Sequence, residues 1–127
     1  MRTDALASLG RIYSDGEVIV RQGELGDCVF IIQSGEVEII RREGDKEFCL
    51  GELEEGDSFG YMALFEGGTQ FATVRALGEA SVLSLKKEAF LRRIHEDPSI
   101  ALHMLKKMSA YVRQLYEVLI RVSNVPS

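Results

Sequence analysis

Short apolar runs separated by glycine-containing turns make up residues 11–86 of the chain. The runs EVIVRQ, CVFIIQ, VEIIRRE, EFCLGEL, FATVRAL and ASVLSLK read as strands, and in the third run Val37 and Ile39 alternate with charged residues as inward positions do. SGE is expected to turn the chain, GDK to make a hairpin turn, and the last two runs to pair across Gly78. Strands at roughly 8–12-residue spacing predict a sandwich or barrel.

Helical periodicity replaces this pattern in the rest of the chain. KKEAFLRRIHED predicts one short helix, and Asp97 with Pro98 is a natural N-cap and first-turn pair for a second. The second helix should cover residues 98–122, about 37 Å at 1.5 Å per residue. A short helix ended by Gly10 is also predicted at the N-terminus.

The long helix has a continuous apolar seam. Its large side chains keep a three- and four-residue spacing, and they are Leu105, Met108, Val112, Leu115 and Leu119. A wide stripe that faces the domain's own core would explain this pattern, and so would a second helix packed on the seam. Because the helix is longer than the body that it could cover, the second helix is favoured. The sequence therefore predicts a homodimer through this seam.

Charge and hydropathy exclude several classes of protein. The net charge of −5 divides into 14 acids and 6 bases in residues 1–60, and 6 acids and 9 bases in residues 61–127. A nucleic-acid binder would usually show a dense basic face, so no nucleic-acid partner is expected. No apolar run is long enough to cross a bilayer, and the N-terminus lacks the apolar stretch of a signal peptide. We therefore expect no membrane partner and a cytoplasmic location.

The residues that could perform catalysis or bind metal are dispersed. His95 and His103 lie on different helices outside the strand region, while the acids of that region lie in turns or alternate outward. Cys28 and Cys49 lie in apolar runs, which favours two buried free thiols over a disulfide between them. We expect no catalytic residues, no metal site and no enzymatic activity.

Two glycine-containing segments resemble the cyclic nucleotide-binding domain family, which includes the bacterial catabolite activator and protein kinase A regulatory subunits. GELGDCVFIIQSGEVEI is similar to the family's core signature, and GDSFG, MALF and ATVRA resemble its phosphate-binding cassette in the same order. The resemblance implies a mainly β fold, an antiparallel β-roll (jelly roll or double-stranded β-helix) with a short N-terminal helix and two C-terminal helices. It implies one domain over residues 1–127, with the roll at about 11–86 and the C-terminal helices at about 87–122.

The resemblance also implies a ligand site in the cassette, here residues 59–76. In the family, a glutamate after the cassette glycine binds the ribose 2′-hydroxyl, and an arginine four residues before the strand's valine pairs with the phosphate. Tyr61 and Gln70 stand at these two positions, and bulky Phe71 follows. Strand alternation places Arg75 on the face opposite Gln70. The candidate ligand-binding residues are Gly60, Tyr61, Met62, Ala63, Gln70, Phe71, Ala72 and Thr73.

Two hypotheses about function remain open. In the first, the chain is a regulatory module that senses a small ligand and transmits its binding through the long helix to an output domain or partner protein outside this chain. In the second, its own side chains fill the pocket, and the chain is a dimerisation or protein-interaction module. Because both charged positions of the cassette are lost, we expect cAMP and cGMP to bind weakly or not at all under either hypothesis, and no other cofactor is expected.

Overall fold

The computed structural model describes residues 10–123. The predicted N-terminal helix lies outside these residues. The chain divides into two compact units, Met1–Arg92 and Arg93–Ser127. The prediction of one domain over residues 1–127 stays a prediction.

The first unit is built on a six-stranded antiparallel sheet. Its strands are β1 (Arg11–Tyr13), β2 (Val18–Val20), β3 (Cys28–Glu43), β4 (Lys46–Glu54), β5 (Ser58–Phe59) and β6 (Thr73–Lys86). The pairing order is β1-β6-β3-β4, while β2 also pairs with β6 and β5 with β3. Only Gly44 and Asp45 separate β3 from β4, which confirms the predicted hairpin. The mainly β, antiparallel class is therefore confirmed.

Two glycines bend strands where the sequence had suggested turns. CVFIIQ and VEIIRRE belong to the single strand β3, and FATVRAL from Thr73 onward belongs with ASVLSLK to the single strand β6. The predicted turn at SGE and the predicted pairing across Gly78 are therefore wrong. Gly35 has φ +85°, and a Cβ on it would lie 2.3 Å from the Glu79 carbonyl oxygen. Gly78 has φ +69°. Positive φ at these residues bends the strands at a bulge, so β3 and β6 remain paired on both sides.

Alternation along β3 and β6 builds the hydrophobic core. Val37 pairs with Ala76, and Ile39 pairs with Val74, so these side chains share the inner face of the sheet. The buried cluster consists of Tyr13, Val20, Ile32, Val37, Leu53, Phe59, Val74, Ala76, Ala80 and Val82. The opposite, outer face of the β3–β6 pair places Glu38 beside Arg75.

Three helices are present in the described part of the chain: α1 (Tyr61–Glu66), α2 (Lys87–Glu96) and α3 (Ser99–Ser123). The two predicted C-terminal helices are thereby confirmed. Asp97 accepts hydrogen bonds from the Ser99 backbone N–H at 3.2 Å and from the Ser99 hydroxyl at 2.6 Å, so it caps α3 as predicted. The predicted seam on α3 is exposed at Leu105, Val112, Leu115 and Leu119 and half-buried at Met108.

Candidate functional site

The helix of the cassette is preceded by a glycine that no other residue could replace without strain. Gly60 has φ +85°, and a Cβ on it would lie 2.9 Å from the Phe30 ring and 3.0 Å from the Cys28 carbonyl oxygen. It precedes α1, whose only buried side chain is Ala63. Gly67 ends the helix with φ +67° and donates its N–H to the Ala63 carbonyl. The helix is therefore short and tightly bounded.

Backbone hydrogen bonds hold the second half of the cassette against the turn between β2 and β3. The Gly23 N–H donates to the Gln70 carbonyl at 2.8 Å, and the Gln70 N–H donates to the Glu24 carbonyl at 2.8 Å. The Gly26 N–H donates to the Gly68 carbonyl at 3.4 Å. The two glycine segments found in the sequence are therefore neighbours, and the position of Gln70 is fixed by its backbone.

Gln70 is buried, with 8% of its surface exposed. A Cβ built on Gly26 would lie 2.5 Å from the Gln70 Nε2 and 2.5 Å from the Ala63 Cβ, so only glycine fits over this side chain. Gln70 lines a cavity of about 180 Å³, and the other lining residues are Ile19, Val20, Arg21, Glu24, Leu25, Gly26, Asp27 and Phe30. Gln70 therefore brings a neutral amide to the position at which the family resemblance implies an arginine.

The strand that follows places its residues on alternate faces. Ala72 and Val74 are buried, whereas the Thr73 hydroxyl accepts a hydrogen bond from the Gln22 backbone N–H at 3.0 Å. Arg75 forms a hydrogen-bonded ion pair with Glu38 on the outer face, and that bond raises the pKa of Arg75. The prediction that Arg75 points away from the face of Val74 is confirmed. The structure also places Thr73 on that outer face.

An arginine absent from the candidate residues lies beside the cassette. Arg41 follows Val37 and Ile39 on alternate positions of β3. Its Nη1 donates to the Phe71 carbonyl, and its guanidinium carbon lies 4.4 Å from the centre of the Phe71 ring. The sequence pattern predicted that the charged side chains of this strand face outward. Continuing the alternation by one step would have placed Arg41 on the inner face.

Three apolar cassette side chains are exposed: Met62, Phe65 and Phe71. Phe71 has 54% of its surface exposed, so it does not fill a cavity. Phe65 packs against Phe90 of α2, with ring centres 6.1 Å apart. Tyr61 is half-buried. The exposed ring of Phe71 therefore does not support the hypothesis that the chain's own side chains fill the pocket.

Neither thiol lies deep in the core. Cys49 is exposed, which corrects the prediction that it is buried, because it lies on the edge strand β4, where residues 46–50 are all exposed. Cys28 is half-buried, and burial together with a hydrogen bond to Asp27 raises its pKa.

Within residues 10–123, no group of three or more His, Cys, Asp or Glu side chains is arranged to hold a metal ion. No helix in this part of the chain is long and apolar enough to span a membrane.

Comparisons with known proteins agree with the resemblance seen in the sequence. Residues 11–97 match the family model of the cyclic nucleotide-binding domain. The chain is 39% identical over 90 residues to a cAMP-dependent protein kinase regulatory subunit of Blastocladiella emersonii, covering 70% of this chain and 22% of that protein. It is 30% identical over 105 residues to the cyclic AMP receptor protein of Thermus thermophilus, covering 82% of this chain and 49% of that protein. The chain thus spans less than half the length of these relatives.

Solved structures confirm the predicted β-roll. The crystal structure of the Thermus thermophilus catabolite activator protein superposes with a TM-score of 0.77 at 29% identity, covering 95% of this chain and 58% of that one. The regulatory domain of Toxoplasma gondii PKA, crystallised with cAMP, superposes with a TM-score of 0.64 at 30% identity, covering 80% and 38%. The chain therefore belongs to the cyclic nucleotide-binding domain family.

Proposed function

We propose that this chain is a regulatory, non-enzymatic module that senses a small ligand at the cassette and has low affinity for cAMP and cGMP. The proposal is supported by the retained backbone of the site: Gly60 before α1, and the hydrogen bonds that hold Gln70 on the turn of residues 23–26. It is also supported by the relatives, which include a kinase regulatory subunit and a cyclic AMP receptor protein. A backbone frame that resembles that of the family, with different side chains at the charged positions, favours a changed ligand preference.

The observation that carries the proposal is the buried neutral amide of Gln70. An arginine there would offer a phosphate a charged, two-pronged hydrogen bond, whereas glutamine offers one neutral donor group. Tyr61 likewise brings one hydroxyl where the family has a carboxylate. A hydrogen bond to a charged group contributes about 1.5–3 kcal/mol. Losing two such contacts should cost roughly 3–6 kcal/mol, or about two to four decades in affinity.

Restoring the charged positions tests this reasoning. The variant Tyr61→Glu, Gln70→Arg, Phe71→Ala should acquire calorimetrically measurable binding of cAMP or cGMP, because the glycine backbone of the site is retained. The matched control is Tyr61→Gln, Gln70→Met, Phe71→Ala, which has side chains of similar size and no added charge. The control should show no measurable binding of cAMP or cGMP. If the charged variant also fails to bind, or if the control binds equally well, the lost charges are not the reason for weak binding.

The exposed seam of α3 supports a second candidate function, a dimerisation or protein-interaction module. Leu105, Val112, Leu115 and Leu119 lie on one side of the helix and are all exposed. A second copy of the chain would cover them, because the three- and four-residue spacing suits a helix of the same sequence. A dimer that forms whether or not any ligand is present would favour this second function alone. A dimer whose affinity changes with ligand would join the two functions, with α3 transmitting the signal.

A further inference from the structure

We propose that Arg41, from strand β3, provides the positive charge that recognises the ligand's anion in this site. The inference rests on the proposed function, because it assigns a recognition residue to the same site. Val37 and Ile39 pair with core residues of β6, and Arg41 is the next residue on that face of β3. Arg41 thus approaches from a strand, whereas the family resemblance implies a cation from within the cassette.

The surroundings of Arg41 differ from those of its neighbour Arg42. The Arg41 side chain is 26% exposed, whereas that of Arg42 is 69% exposed and pairs with Glu47. Arg42 and Glu47 both line a groove on the outer face. The two consecutive arginines therefore lie on opposite faces of the sheet, and Arg41 is the one that donates to the Phe71 carbonyl.

The contacts of Arg41 hold it in place and leave donors for a ligand. Its Nη1 donates to the Phe71 carbonyl, and its Nε and Nη2 donate to Glu43 Oε1 at 3.0 and 2.8 Å. These bonds use three of the five N–H groups that a guanidinium has. One N–H on each terminal nitrogen remains, and such a pair can bind a carboxylate or phosphate. Glu43 both orients Arg41 and competes with an incoming anion.

The neighbouring aromatic rings indicate the class of ligand. The Phe71 ring lies against the Arg41 guanidinium and is more than half exposed. Phe48 on β4 pairs directly with Arg41 and is also exposed. A cation beside two exposed aromatic rings suits an anionic group joined to a planar ring. Cyclic nucleotides, aryl phosphates and aromatic carboxylates share this chemistry.

Titration of the ¹⁵N-labelled chain by NMR, with probes at millimolar concentration, tests the assignment. The charged probes are cAMP, phenyl phosphate and benzoate, and adenosine is the uncharged probe with the same base as cAMP. At least one charged probe should shift the amide signals of Phe71 and Ala72, and adenosine should bind more weakly than cAMP. The probe with the highest affinity identifies the source of the anion. If no charged probe produces a shift, or if adenosine binds as well as cAMP, the inference is overturned.

Substitutions then locate the charge. Arg41→Gln should weaken binding of the best probe about 10- to 150-fold, which is the loss of one hydrogen bond to a charged group. The matched control Arg42→Gln should bind as the unmodified chain does. Glu43→Gln should strengthen binding, because it removes the competing carboxylate, and a purely structural ion pair would not have this effect. Equal affinities of Arg41→Gln and the unmodified chain contradict the assignment.

Two further variants separate recognition from folding. The Arg41→Gln substitution could lower the thermal midpoint of unfolding and weaken binding for that reason alone. Arg41→Lys keeps the positive charge, so when the two variants are equally stable Arg41→Lys should lose less affinity than Arg41→Gln. Adding Gln70→Arg to Arg41→Gln should restore binding, since it returns a cation to the cassette. Equal loss in the Lys and Gln variants, or no restoration by Gln70→Arg, overturns the inference. Low-micromolar binding of cAMP by the unmodified chain would contradict the proposed function alone, and Arg41→Gln would still decide the role of Arg41.

Discussion

Replacing Val112 and Leu115 by glutamate should convert a dimer of this chain into monomers. These side chains are 47% and 63% exposed, so roughly half of each is available for burial against a second copy. Full burial of such a side chain is worth about 1.5–3 kcal/mol. The two residues occur on both chains of a dimer, so four side chains each bury about half of their surface at the interface. Together they contribute about 3–6 kcal/mol, or about two to four decades in the dissociation constant. Repulsion between the introduced carboxylates increases the loss.

Sedimentation equilibrium over a range of protein concentrations measures this effect. The matched control is Ala110→Glu with Ile120→Glu, which introduces the same charges on the same helix outside the seam. The exposed fraction of Ile120, 60%, is similar to the 63% of Leu115. The control should remain dimeric. If the unmodified chain is already monomeric at high micromolar concentration, or if both double variants dissociate equally, the seam is not a dimer interface.

Three further predictions concern the stability, metal content and thiols of the chain. Gly26→Ala should lower the free energy of unfolding in denaturant by about 1–3 kcal/mol, because its Cβ would lie 2.5 Å from the Ala63 Cβ. The control Gly68→Ala, whose Cβ would meet open space, should change the stability little. Equal effects of the two substitutions would contradict the packing argument. Purified protein should contain no stoichiometric zinc, iron or manganese by mass spectrometry, and one bound ion per chain would contradict the expectation from the sequence. A thiol reagent near pH 8 should modify exposed Cys49 before Cys28, whose raised pKa reduces its thiolate fraction; faster modification of Cys28 in peptide mapping would refute this.

The class of fold followed from the sequence because periodicity and glycine spacing are local properties. The long helix was predicted over residues 98–122 and spans Ser99–Ser123, since its cap and its apolar spacing are both visible in the residues. The bends at Gly35 and Gly78 were mistaken for turns. A glycine with positive φ can reverse a chain or bend a strand, and the choice depends on the partner strand, here the pairing of β3 with β6.

The site was predictable only as far as its residues are close in sequence. The cassette could be recognised as one segment, and Gln70 stood out within it. The hydrogen bonds of Gln70 to Gly23 and Glu24 join residues far apart in the chain. Arg41 approaches the cassette from β3 for the same reason, 30 residues before Phe71. Contacts of this kind depend on sheet register, which periodicity does not specify.

Isothermal titration calorimetry of the unmodified chain with cAMP and with cGMP tests the proposed function most directly. The buried, uncharged Gln70 and the tyrosine at position 61 predict that neither nucleotide binds in the low-micromolar range. The protein should first be shown to be folded by its thermal transition, so that an absent signal reports on the site. A low-micromolar dissociation constant for either nucleotide, at one ligand per chain, would contradict the conclusion that the lost charges weaken cyclic nucleotide binding.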